Sequence, residues 1–253
     1  MKLATLFIIG IIVSITVLEY IFVYTSVSYG ILLALFLTIA IYILISLPEK
    51  ENEMILAAES LALLPLYVLF TSSLPWFFVK QSYLLPAIYT IILGLCAWHI
   101  YDRGIGMHAL GLTRENAVKY ALMGALIGIP TGAIEYLVLK PSPAFPAFEI
   151  AYFFRDFAYM TLFVALGEEL LFRAIVQLDL QKAFGDRNGL LMAAYLFGVM
   201  HLTWRSPTEL AFAFFAGYLL GYIYYKTGSL MGPIMLHGIN NTMLVAVMPY
   251  LLR

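Results

Sequence analysis

Two adjacent carboxylates and a guanidinium stand inside an apolar stretch, Gly167-Glu168-Glu169-Leu170-Leu171-Phe172-Arg173. Glu169 and Arg173 are four residues apart, so on a helix they share a face and can pair. Glu168 points about 100° away from Glu169 and has no counter-charge at helical spacing. A carboxylate so placed is suited to general acid–base work. The same three residues would equally serve to clip helices together, and the cluster alone fits both readings.

Two further polar sites lie in neighbouring apolar runs. His201 ends Phe197-Gly198-Val199-Met200-His201, and His237-Gly238-Ile239-Asn240-Asn241 puts His237 and Asn241 on one helical face. A lone histidine in a membrane span usually serves as a structural hydrogen bonder, but three such sites together argue for a shared purpose. Glu168 lies about 23 Å of helix before the turn that begins near Ala183, and His201 about 24 Å after Gly185. Antiparallel helices would bring these two to one level. His237 lies only about 14 Å past Gly228, so its helix must tilt or start deeper to join them.

The elements that must hold these groups are membrane helices. Of the 253 residues, 63% are hydrophobic and 11% charged, and the mean hydropathy is +0.92. Soluble domains average about 25% charged residues, so charge this sparse cannot coat the protein and lipid must be part of its solvent. The same numbers exclude disorder. With 14 Lys and Arg against 15 Asp and Glu and no basic run, nucleic acid is not an expected partner. The runs read as an all-α, polytopic bundle of about eight or nine spans, near 3–24, 27–47, 54–79, 83–101, 117–139, 150–180, 189–204, 208–225 and 229–251. The first run resembles a signal peptide, but it is too long and has no small-residue cleavage site, so a retained span is expected.

The breaks are chemically sensible. A charged turn runs from Pro48 to Glu53, a glycine-punctuated loop follows Asp102, and three prolines stiffen residues 141–146. Thr113 is expected to cap the helix that follows it. Arg155 and Asp156 are expected to neutralise each other. Gly124, Gly128 and Gly132 form a small-residue stripe that suits close packing inside the bundle better than a dimer face. Loops expected on one side carry Lys2, Lys50, Arg103, Arg114, Lys119, Lys182, Arg187 and Lys226, against Lys80, Lys140, Arg205 and Arg253 on the other. The richer side, and with it the N-terminus, is expected to be cytoplasmic.

Taken in order, Glu-Glu-x-x-x-Arg, Phe-x-x-x-His and His-x-x-x-Asn resemble the CAAX protease and bacteriocin-processing enzyme family, which includes the type II CAAX prenyl endopeptidases. Glu168, Glu169, Arg173, Phe197, His201, His237 and Asn241 occupy the motif positions. The stretch from Gly217 through Gly221 to Pro233 also resembles the family's approach to its last motif. The resemblance covers roughly residues 110–245, so the chain divides into motif-free spans 1–110 and a CAAX-protease-like core 111–253.

The resemblance implies a glutamate-dependent intramembrane endopeptidase acting on a membrane-associated, prenylated or unprenylated, peptide or protein. By that analogy Glu168 and His201 activate water, His237 and Asn241 stabilise the oxyanion, and Glu169, Arg173 and Phe197 give structural support. A carboxylate with a neutral imidazole can polarise water, and an amide with an imidazole donor suits an oxyanion hole. No cofactor is expected. Zinc is the minority alternative, since two histidines and a glutamate match a catalytic ligand set, but no His-Glu-x-x-His helix is present and Asn241 would have no role. A serine or cysteine enzyme is disfavoured: there is no Gly-x-Ser-x-Gly elbow, and the one cysteine, Cys96, has only His99 beside it. The alternative function is a catalytically silent scaffold or bacteriocin-immunity factor binding a peptide through the same cavity. A proton-coupled carrier ranks below both, because no half-to-half symmetry is visible. The expected place is the plasma membrane of a prokaryote, and the sequence leaves the oligomeric state open.

Overall fold

Backbone in lipid has only its own N–H and C=O groups to bond, so long apolar runs fold as helices. The computed structural model describes residues 3–47, 52–73 and 80–252. Among these, nine helices follow one another without a strand: α1 (Leu3–Thr25), α2 (Val27–Ser46), α3 (Glu53–Ser73), α4 (Gln81–Asp102), α5 (Ala117–Leu139), α6 (150–184), α7 (Asp186–Met200), α8 (Pro207–Thr227) and α9 (Met231–Leu251). The all-α membrane bundle read from the sequence is the fold observed. Six of the helices, α1 to α5 and α9, are long and apolar enough to cross a membrane. The residues 48–51 of the expected charged turn, the end of the third run at 74–79, Lys2 and Arg253 lie outside the described residues.

The α5 cap falls on Asn116, which holds a left-handed φ of 52°. Thr113, expected to cap, stands three residues too early. At the other hinges the turn chemistry holds: Gly185, between α6 and α7, takes a φ of 82°, a conformation that costs glycine little.

The chain forms two compact units that interleave along the sequence. One comprises residues 1–78 and 175–218, the other 79–174 and 219–253. In the first unit, α1, α2, α3 and α7 pack around Leu18, Ala34 and Val68, with Phe22, Leu37, Leu69 and Met200 against them. Thr16 of α1 and Tyr195 of α7 are hydrogen-bonded at 3.0 Å. The Arg205 guanidinium donates to the Val23 carbonyl at 2.7 Å, which ties the segment after α7 to the end of α1.

In the second unit the glycine stripe does what its spacing suggests. A Cβ at Gly124 would meet the Gly232 carbonyl, one at Gly128 the Leu236 carbonyl, and one at Gly132 the Asn240 carbonyl. The stripe therefore lies directly along α9, a packing face internal to this unit. The opposite side of α5 exposes Leu122, Leu126, Ile129 and Leu137. Small residues inward and large apolar ones outward is the pattern of a helix solvated by lipid.

This contact sets a first prediction. A Cβ at Gly128 would stand 2.5 Å from the Leu236 carbonyl oxygen, a backbone atom that cannot rotate aside. Gly128→Ala should destabilise the protein by about 1–3 kcal/mol, read as a lowered Tm in detergent. An unchanged Tm would show that α5 and α9 do not approach this closely.

Candidate active site

The Glu168–Glu169 pair sits on a distorted stretch of α6. One α-helical turn, Leu166–Glu169, is flanked by π-helical segments Met160–Ala165 and Leu170–Gln177. π turns are rare and concentrate at functional sites. Gly167 faces Ile92 of α4 at ordinary contact distance for an added Cβ, so α6 lies close along α4 at this level.

Glu169 and Arg173 are both fully buried (0% exposed). Arg173 Nε donates to Glu169 Oε2 at 2.9 Å, the pair their spacing suggests. Glu169 Oε1 lies 2.8 Å from His237 Nδ1. An ionised carboxylate only accepts, so Nδ1 carries the hydrogen and donates. The other ring nitrogen, Nε2, stands 3.9 Å from Glu168 Oε2. Arg173, Glu169, His237 and Glu168 thus form one polar line across α6 and α9, inside an apolar unit.

Glu168 is held from its other side. The Tyr89 hydroxyl on α4 donates to Glu168 Oε1 at 2.6 Å. Glu168 Oε2 is buried and has no hydrogen-bond partner among the described residues. One carboxylate oxygen is anchored while the other faces the imidazole with unused acceptor capacity. Tyr89 escapes a motif reading, because it lies outside all three motifs and nothing in its local sequence sets it apart.

Asn241 lies one turn beyond His237. Its Oδ1 accepts from Asn240 Nδ2 at 3.3 Å, and Asn240 Nδ2 also donates to Glu135 Oε2 of α5. By spacing alone Glu135 looks isolated, since its partner is 105 residues away.

Phe197 and His201 belong to the first unit. His201 stands just past the end of α7. Its Nδ1 donates to the Phe197 carbonyl at 2.8 Å, and the two rings are 4.6 Å apart. Phe197 in turn packs on Gly217, where an added Cβ would come within 3.0 Å of its ring. Phe-x-x-x-His is thus a local device that fixes the imidazole at a helix end. The second unit brings Glu168, Glu169, Arg173 and His237 together with Asn241 beside them, and the first holds His201 on Phe197.

The second unit also contains a cavity of about 440 Å³, lined by Leu85, Arg155, Asp156, Met160, Val245 and their neighbours. Leu85 is one turn from Tyr89, and Met160 and Val245 are each about 12 Å of helix from Glu168 and His237. Arg155 Nη2 and Asp156 Oδ1 pair at 2.5 Å, the mutual neutralisation their adjacency suggests. Cys96 is buried in α4, and His99 Nε2 meets Arg103 Nη1 at 3.3 Å. Among the described residues no group of three or more His, Cys, Asp or Glu side chains has an arrangement that could hold a metal ion.

The stretch carrying all three motifs has a known counterpart. Residues 150–243 match the family model described as type II CAAX prenyl endopeptidase Rce1-like. The resemblance read from the motifs holds for that stretch. The Rce1-like segment begins with α6 and ends two residues past Asn241, so it contains every motif residue. Tyr89 and Glu135 lie outside it. No curated protein and no solved structure matches the chain.

Proposed function

We propose that this membrane protein is a glutamate-dependent intramembrane endopeptidase. The observation that carries the proposal is Glu168 Oε2, a buried carboxylate oxygen without a hydrogen-bond partner among the described residues, aimed at an imidazole, while Tyr89 fixes its sister oxygen. Water hydrogen-bonded to Oε2 gives its proton to Glu168 as its oxygen bonds to the scissile carbonyl carbon. Asn241 Nδ2 donates to the oxyanion that forms. His237 joins it through Nε2–H when both ring nitrogens carry hydrogen. Before attack, charge balances along the polar line, Arg173 against Glu169 and the imidazolium against Glu168; once Glu168 holds the proton, the imidazolium balances the oxyanion instead. As the C–N bond breaks, the proton on Glu168 passes to the leaving amine. His201 accepts from the attacking water; that role rests on the Phe-x-x-x-His motif and on an Nδ1–H that leaves Nε2 as the acceptor.

The substrate is a membrane-associated peptide or lipidated protein. The cavity beside Met160 and Val245 receives chain next to the scissile bond. The protein resides in a plasma membrane of a prokaryote with its N-terminus in the cytoplasm. The reaction uses no metal, since Asn241 serves as a donor to the oxyanion and would have no role as a ligand.

The test uses purified full-length protein in detergent with a farnesylated CAAX peptide and its unprenylated twin. Cleavage of either supports the proposal, and the ratio reports whether the isoprenoid is read. Turnover should survive stringent chelation, and elemental analysis of active protein should find no stoichiometric metal. Asn241→Ala should lower kcat by roughly 10²–10³ with KM little changed, because the charge it meets exists only in the transition state. Zinc that tracks activity, or an Asn241→Ala variant altered only in KM, would defeat the non-metal mechanism.

A further inference from the structure

We infer that Glu135 and Asn240, which lie outside the motifs, are positioning residues that set which end of the Asn241 amide faces the substrate. The inference rests on the oxyanion reading of Asn241. A primary amide has a donor end and an acceptor end of nearly equal shape, so packing alone distinguishes them poorly. An oxyanion needs the donor end. Something must therefore hold Asn241 in one of its two orientations.

The geometry supplies a one-way chain. Glu135 is a buried carboxylate, and in ionised form it can only accept. Asn240 must turn its NH₂ toward it, as it does. That NH₂ has a second hydrogen, which goes to Asn241 Oδ1 at 3.3 Å. With its oxygen engaged there, Asn241 keeps its own NH₂ for another acceptor, and among the described residues it donates to none. Acceptor-only character at Glu135 thus becomes donor presentation at Asn241, two amide groups away. The glycine stripe makes the chain possible: Gly132, three residues before Glu135 on α5, lies on the Asn240 carbonyl, so the helices are near enough for a glutamate to span the gap.

The decisive variant inverts the polarity without removing a bond. In the swap Glu135→Gln with Asn240→Asp, net charge is unchanged. The introduced glutamine amide then donates to the new carboxylate, which accepts from Asn241 as well. Asn241 must turn its NH₂ inward and show its oxygen to the site. The swap should keep a Tm within a few degrees of the parent, retain KM, and lose roughly 10²–10³ in kcat, the loss of one oxyanion donor. Parental kcat in a folded swap protein would overturn the inference.

A double-mutant cycle decides the matter should the swap fail to fold. Glu135→Leu should lower kcat at least tenfold in the parent but less than twofold in an Asn241→Ala background, because its effect passes only through Asn241. Equal losses in both backgrounds would show a merely structural role. Asn241→Ala alone separates the two levels: if it retains full kcat, the oxyanion reading fails, whereas a slow Asn241→Ala beside a fully active swap removes only the relay.

Discussion

Glu168→Gln is expected to lower turnover by roughly 10²–10⁴-fold, the usual contribution of a positioned general base, while leaving the fold intact. Glutamine matches glutamate in size, and its carbonyl oxygen can still accept from Tyr89, whose hydroxyl now meets Glu168 Oε1 at 2.6 Å. What is lost is the basic oxygen facing His237 across 3.9 Å. The measurement is single-turnover cleavage beside a thermal melt in the same detergent. Tyr89→Phe, which removes the anchor but keeps the base, should fall between parent and Glu168→Gln. A folded Glu168→Gln protein at parental turnover removes Glu168 from the reaction.

The neighbouring carboxylate should behave oppositely. Glu169→Ala strands Arg173, whose side chain is fully buried against it. Breaking one side of a buried ion pair costs about 3–5 kcal/mol, so yield and Tm should drop sharply. Replacing the whole pair, Glu169→Leu with Arg173→Met, should recover most of the Tm, because apolar side chains of similar volume often substitute for a buried pair at little cost. Turnover should not recover with it, since His237 Nδ1 has lost the acceptor that aims its ring. A double variant regaining both stability and activity would reduce Glu169 and Arg173 to a clip between helices.

Much of this was legible in the chain because its signals are local. Run length gave the helices, and i,i+4 spacing gave Glu169 with Arg173, whereas the bond from His201 to the Phe197 carbonyl emerged only in the structure. The glycine stripe announced a close helix contact, although not which helix would fill it. The rest depends on which helices become neighbours. Tyr89 meets Glu168 across 79 residues and Glu135 meets Asn240 across 105; no periodicity encodes either pairing. The orientation of His237 was hidden too, for spacing put it beside Asn241 and could not show that Glu169 takes its Nδ1–H. The π turns of α6 also leave no compositional trace, since the residues that form them suit an ordinary helix equally well.

The interleaving of the two units along the chain has a consequence for biosynthesis. The second unit opens at residue 79 and is finished only by the stretch from 219 onward. Glu135 therefore enters the membrane 105 residues ahead of the asparagine it bonds. At roughly 5–20 residues per second of synthesis, it waits about 5–20 seconds for that partner. During this interval α5 must hold a carboxylate on a glycine face that nothing yet covers. Its apolar length lets it insert regardless, with a mean hydropathy of 1.7 over its spanning window. Of the nine helices described, the last to leave the ribosome is thus the one that closes the second unit, and a nascent chain stalled before α9 would present Glu135, Glu168 and Glu169 to lipid or to the insertion machinery, a ready mark of an unfinished protein.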